Sequence, residues 1–71
     1  MQFKIESTKA EFTIRTSHIS HPDRIVARCG GQQKTAHYNY SMSGWENHLV
    51  VARAVVSSLG MDPSLLVLIS Y

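Results

Sequence analysis

Lys34 to Gly60, KTAHYNYSMSGWENHLVVARAVVSSLG, decides how the rest of the chain folds. It reads as an extended segment that feeds through a capped turn into an amphipathic helix. Ser43-x-x-Glu46 fits a capping box, in which each side chain satisfies a free amide of the first turn. Position N4 is Asn47, so the usual hydrophobic staple is missing. At 100° per residue, Trp45, Leu49, Ala52, Val56 and Leu59 form one stripe, flanked by His48 and Val55. Burying Trp45, Leu49, Val56 and Leu59 against a sheet contributes roughly 1.5–3 kcal/mol each. Gly60 stands where a left-handed C-terminal cap is wanted. The opposite face carries Glu46, Arg53 and Ser57, with Val50, Val51 and Ala54 between them and Asn47. Valine is a poor helix former, so propensity did not select these residues. Val50, Arg53 and Ala54 therefore outline a candidate docking face, although single exposed apolar residues are ordinary.

The segments before the helix alternate with period two, the mark of half-buried strands. In Met1 to Ser7, Phe3 and Ile5 share one side; this piece forms either a hairpin arm or a loose tail. Glu11 to Thr16 is the firmer strand, with Phe12 and Ile14 inward. Ser17 to Asp23 is a turn, because Pro22 donates no ladder bond and the serines and Asp23 bond nearby backbone. Arg24 to Cys29 is a short apolar strand bracketed by arginines, and Gly30-Gly31 turns the chain. Gln33 to Ser41 extends again, with Ala36, Tyr38 and Tyr40 on one side and Thr35, His37 and Asn39 on the other. After the helix, Met61 to Ser64 turns and Leu65 to Tyr71 follows, apolar on both sides. That pattern predicts a strand buried on both faces, whose second cover comes from another copy or a partner. The expected fold is α+β: a single domain, 1–71, with a small antiparallel sheet of three to five strands and one helix on one face, in β-β-β-α-β order.

With 71 residues, the chain supports one small core. Apolar residues make up 44% and charged residues only 17%, which excludes a disordered, highly charged chain. The net charge of +2 comes from seven Lys/Arg against five Asp/Glu, short of the dense field of a dedicated nucleic-acid binder. A single cysteine, Cys29, precludes an internal disulfide and suggests a reducing compartment. No apolar run reaches the ~20 residues of a membrane span, and MQFKIESTK lacks the order of a signal peptide. The expectation is a cytoplasmic protein that does not enter a membrane.

Catalytic and metal signatures are absent from the sequence. His18-x-x-His21 with Cys29 and His37 matches no structural zinc spacing. Gly30-Gly31 lacks the Lys-Ser/Thr and following helix of a phosphate loop. No nucleophile, base and acid stand in a recognisable arrangement, so neither an enzyme nor a cofactor is expected. Arg15, Arg28, Lys34 and His37 are instead read as sharing the uncovered sheet face, with Tyr or His rings beside them as stacking platforms for nucleic acid. Strands followed by a helix also match the latter half of double-stranded RNA-binding domains, but SMSGWEN stands where that family keeps a lysine cluster.

The segment RIVARCGGQQKTAHYNYSMSGWENHLVVARAVVSSLG, about half of the chain, resembles short accessory proteins of bacteriophages and prophages. Its carriers are Gly30-Gly31, Lys34-Thr35-Ala36 and Leu59-Gly60; Trp45 and the helix valines depart from the pattern. The resemblance implies a small anti-CRISPR-like inhibitor that acts by stoichiometric binding. The expected partner is a host protein or nucleoprotein complex, with direct nucleic-acid binding as the alternative. A homodimer through Leu65 to Tyr71 is also expected.

Overall fold

Strand alternation and one capped helix build the architecture in a computed structural model that describes residues 1–6 and 10–70. The elements are β1 (Gln2–Glu6), β2 (Glu11–Ile19), β3 (Arg24–Cys29), β4 (Gln32–His37), α1 (Gly44–Ser58), a 3₁₀ turn (Pro63–Leu65) and β5 (Val67–Ser70). The strands form one antiparallel sheet in the order β4-β3-β2-β1-β5, with α1 packed on one face. The α+β class is as expected, but the order is β-β-β-β-α-β, one strand more before the helix. The extra strand is the N-terminal segment. Phe3 and Ile5 pair across β2 with Ile14 and Phe12 and are fully buried. Burying both makes this segment a full member of the sheet instead of a loose tail. Backbone exchange between Met1 and Thr16, at 2.9 and 3.0 Å, carries the pairing one residue further. The break expected at Thr8 to Ala10 falls mostly on residues outside those described.

Two strand boundaries also move. β2 runs on to Ile19, so the turn expected from Ser17 begins only at Ser20. The reason is the register of β3, which gives Ser17, His18 and Ile19 partners in Val26, Ile25 and Arg24. β4 stops at His37, opposite Arg24 where β3 begins, and one further backbone bond, from the Tyr38 amide to the Asp23 carbonyl at 3.1 Å, follows it. Gly30 and Gly31 both hold positive φ, +52° and +86°, in a two-residue hairpin closed by Cys29 and Gln32. Such a pair of angles is the turn that glycine adopts most easily.

The core lies between α1 and the sheet. Phe3, Ile5, Ile14, Ile25, Ala27 and Cys29 supply the sheet side; Val51, Ala52, Val55 and Val56 supply the helix side. The inward stripe of α1 is rotated by roughly 60° from the one that hydrophobicity alone indicates. Trp45 is 42% exposed, and Val51, expected on the outer face, is buried. The cause is polar. Asn47, only 3% exposed, donates from Nδ2 to the carbonyls of Asn39 and Ser43 at 2.9 Å. Its Oδ1 accepts from the Asn39 amide at 2.7 Å. This clasp replaces the missing staple and turns Asn47 inward, and Trp45 lies about 200° around the helix from it. Small Ala27 and Ala52 then let the β-branched valines meet the sheet closely.

The Gly60 cap forms as the sequence indicates. The Ser43 capping box forms in one direction only, with the Glu46 carboxylate taking the Ser43 hydroxyl in place of an amide. The Ser43 hydroxyl accepts from the Glu46 amide and donates to the Glu46 carboxylate at 2.9 Å. At the other end Gly60 has φ +78°, with Gly60 N–H to Ser57 O at 3.0 Å and Met61 N–H to Val56 O at 3.2 Å. These two bonds satisfy carbonyls that the last turn leaves open. Asp62 then caps the 3₁₀ turn by accepting from the Ser64 amide at 3.0 Å. No helix among the described residues is long and apolar enough to cross a membrane.

The last segment departs most from expectation. It is neither a seven-residue strand nor buried on both faces. Leu65 ends the 3₁₀ turn, and β5 lies at the sheet edge beside β1 with Val67, Leu68 and Ile69 exposed. One chain of this size has a single helix to spend on covering the sheet, and β5 lies beyond its reach. Tyr71 falls outside the described residues.

Candidate binding face

Among the described residues, no element covers the sheet face opposite α1. The strand registers align a transverse polar row across it: Ser70, Gln2, Arg15, Arg28 and Gln33, each opposite the next. Two arginines therefore stand directly across a strand pair, an arrangement that repulsion alone disfavours. The Nε of Arg28 donates to Gln33 Oε1 at 3.0 Å, which orients its guanidinium. Among the described residues neither guanidinium meets a carboxylate; the ion pairs are Lys4–Glu6 at 3.4 Å and His18–Asp23 at 3.2 Å.

Beside this row runs a groove of about 670 Å³. Its floor is Val26, 5% exposed, with Ile19; Thr13 and Ser17 add hydroxyls, and the Gly30-Gly31 turn closes one end. Arg24 and Arg28 stand two residues either side of Val26, and such stems shield apolar floor while their heads stay wet. Glu6 and Glu11 oppose each other on the same face, four residues along the strands from Gln2 and Arg15. That is about 13 Å, more than a Debye length at physiological salt. The arginine pair thus keeps its positive field.

The expected carriers divide into three groups. Arg15 and Arg28 come together as the centre of the row. His37 shares their face but sits at its far end, opposite Arg24. Lys34 does not share the face: it is opposite Ala27, which puts it on the helix side at the β4 edge. Period two explains the error, since Lys34 lies an odd number of residues from Gln33 and His37. Val50, Arg53 and Ala54 are exposed together on the outer side of α1, on the opposite surface of the molecule.

The aromatic platforms are also on the other side. His18 is opposite Ile25, and its ring stacks on Tyr38 at 4.8 Å, with Tyr40 at 4.9 Å from Tyr38. The Tyr40 hydroxyl donates to Asp23, whose other oxygen lies 3.2 Å from His18 Nε2. The Tyr40 bond leads in holding the Asp23 carboxyl below its ordinary range, and the same contact raises the Tyr40 phenol. This cluster fastens the β2–β3 turn to the segment before α1; it does not line the groove.

Cys29 is buried on the helix side, and burial raises its thiol. It is a packed thiol, not a thiolate. Among the described residues no three His, Cys, Asp or Glu side chains are placed to hold a metal.

The sequence reading missed Gln2, Gln33, Thr13, Ser17 and Arg24 as members of the face. Arg24 was findable, because it stands four residues from Arg28 on one strand and therefore on the same side. The others needed the cross-strand register. Comparison with family models, curated proteins and solved structures gives no match.

Proposed function

We propose that this chain is a non-enzymatic binding protein that occupies an anionic surface of its target through the Arg15–Arg28 row. The observation that carries the reading is the pairing itself. Arg15 and Arg28 stand opposite each other across β2 and β3 and line one groove, flanked by amides and without a carboxylate partner among the described residues. Planar guanidiniums grip phosphate or carboxylate through two parallel bonds. The resemblance to phage accessory proteins supplies the context: a host defence or nucleic-acid-processing complex, blocked stoichiometrically in the host cytoplasm, as an anti-CRISPR protein does. Partners in this reading are that complex and a second copy of the chain, joined through the last segment.

Direct binding of RNA or DNA is the second reading, favoured by the same arginines. The rings that would stack bases lie on the helix side, so such binding would rest on phosphate contacts and vary little with sequence.

Tagged protein on nuclease-treated host lysate tests both. We expect a captured partner that the double variant Arg15→Ala/Arg28→Ala loses and Val50→Asp retains. Loss with Val50→Asp alone would move recognition to the helix. Loss on nuclease treatment, with duplex binding that weakens steeply with salt, would establish the nucleic-acid reading instead.

A further inference from the structure

An edge strand exposes unpaired backbone N–H and C=O groups, and natural sheets guard such edges with lysine, proline or an inward charge. β4 is guarded in this way: Ala36 apart it is polar, and it carries Lys34 and His37. β5 is not. Its sequence is VLIS, and from Pro63 to Ser70 the chain has no charge at all. Leu65, Val67, Leu68 and Ile69 are 56, 51, 40 and 49% exposed, half of the large exposed apolar residues among those described. The register against β1 shifts between Leu68 and Ser70, which adds twist but places no charge on the edge.

An unguarded edge calls for a strand, and the charge pattern selects which one. In a protein of net charge +2, this neutral strand is a place where two copies meet without repulsion. Self-pairing of β4 would instead bring Lys34 and His37 of two copies together. Antiparallel pairing of a strand with its own copy has its twofold axis perpendicular to the sheet. Both uncovered faces then point the same way.

We propose that β5 pairs antiparallel with β5 of a second copy, so that the two five-stranded sheets run on as one and present both Arg15–Arg28 pairs on a single face. Six strand spacings separate the two pairs, about 29 Å. The face is then a two-site surface for an extended polyanion or a repeated acidic surface. This consequence rests on the arginine row being the recognition site; the pairing does not. A standard interface takes about 800 Å² a side, roughly a sixth of the 4572 Å² surface. A four-residue strand with Leu65 beside it covers less, so the dimer is concentration-dependent.

Sedimentation of the full chain from about 1 to 500 μM, the range where small interfaces associate, is expected to show the mass rising from one chain to two. Ile69→Lys should stay monomeric and keep the wild-type circular dichroism and melting, because its side chain is already exposed. Leu68→Cys or Ile69→Cys, in a Cys29→Ala background, should crosslink on mild oxidation, whereas Thr35→Cys on β4 should not. Wild type that remains a single chain throughout, or Ile69→Lys that still dimerises, overturns the pairing, as does crosslinking through β4 alone. Arg15→Ala/Arg28→Ala should leave the mass unchanged, so failure of the recognition reading shows separately. On heparin, loaded where wild type is dimeric, Ile69→Lys should elute at lower salt than wild type despite its added positive charge. Equal or longer retention removes the two-site face.

Discussion

Asn47 is a polar residue at a core position, and its three hydrogen bonds explain why it can be there. Each bond satisfies a backbone or side-chain group that burial would otherwise leave unpaired. Asn47→Ala strands the Asn39 amide, and we expect a loss of about 2–3 kcal/mol in denaturant unfolding. Asn47→Asp should cost as much, since it keeps the acceptor but removes both donors. One helical step away, His48 Nδ1 lies 2.6 Å from Thr16 Oγ1, beneath the N-terminal strand. Burial is the chief cause that lowers its pKa from 6.5; the N-terminal amine and then His18 add to it. The native state therefore favours the neutral ring, and the unfolded chain binds the proton more readily. Stability is complete above pH 6.5 and falls as pH drops below that value towards the folded-state pKa. His48→Gln should flatten this part of the acid limb, as read from melting temperatures across pH 4 to 8.

The helix shows how one polar contact overrides a hydrophobic stripe. Judged by side-chain size, Trp45 should dominate the packing of α1 and Val55 should matter less. The observed rotation reverses that order: Val55 is fully buried and Trp45 is not. Val55→Ala should cost about 2 kcal/mol or more, and Trp45→Ala less than half of that. Trp45 emission should be red-shifted and readily quenched by iodide in the folded protein. β5 is the second element whose pattern misleads. An apolar run on both sides signals burial on both faces, yet within one chain it lies at the edge, beyond the helix. In the pairing proposed above, its composition answers to a second strand and not to a cover.

The whole molecule is two-sided. One surface is the outer side of α1, with Val50, Arg53 and Ala54; the other is the bare sheet with its arginine row. Because these surfaces face apart, a substitution on one leaves the other intact, and their roles can be separated. Duplex or acidic-peptide binding through the row should weaken as salt rises from about 50 to 200 mM, with a smaller slope for Arg28→Ala than for wild type. A salt-independent affinity would mean that the apolar helix side does the binding. Arg28→Ala should not shift the melting temperature by more than a few degrees, since exposed side chains contribute little to stability.

Local signals were enough for the α+β class, the Ser43 and Gly60 caps, the Gly30-Gly31 hairpin and the inward placement of Phe3, Ile5 and Ile14. Each depends on a residue and its near neighbours, through period, cap chemistry or the freedom of glycine. Period two alone separates Lys34 from His37, but which face of α1 turns inward and which arginines become neighbours were decided only in the folded chain. Those outcomes depend on a clasp between Asn47 and Asn39 and on strand registers that join residues far apart in sequence. A one-residue change in register carries a side chain to the opposite face of a sheet. The candidate site is made of such registers, and for that reason only half of it could be read from the residues alone.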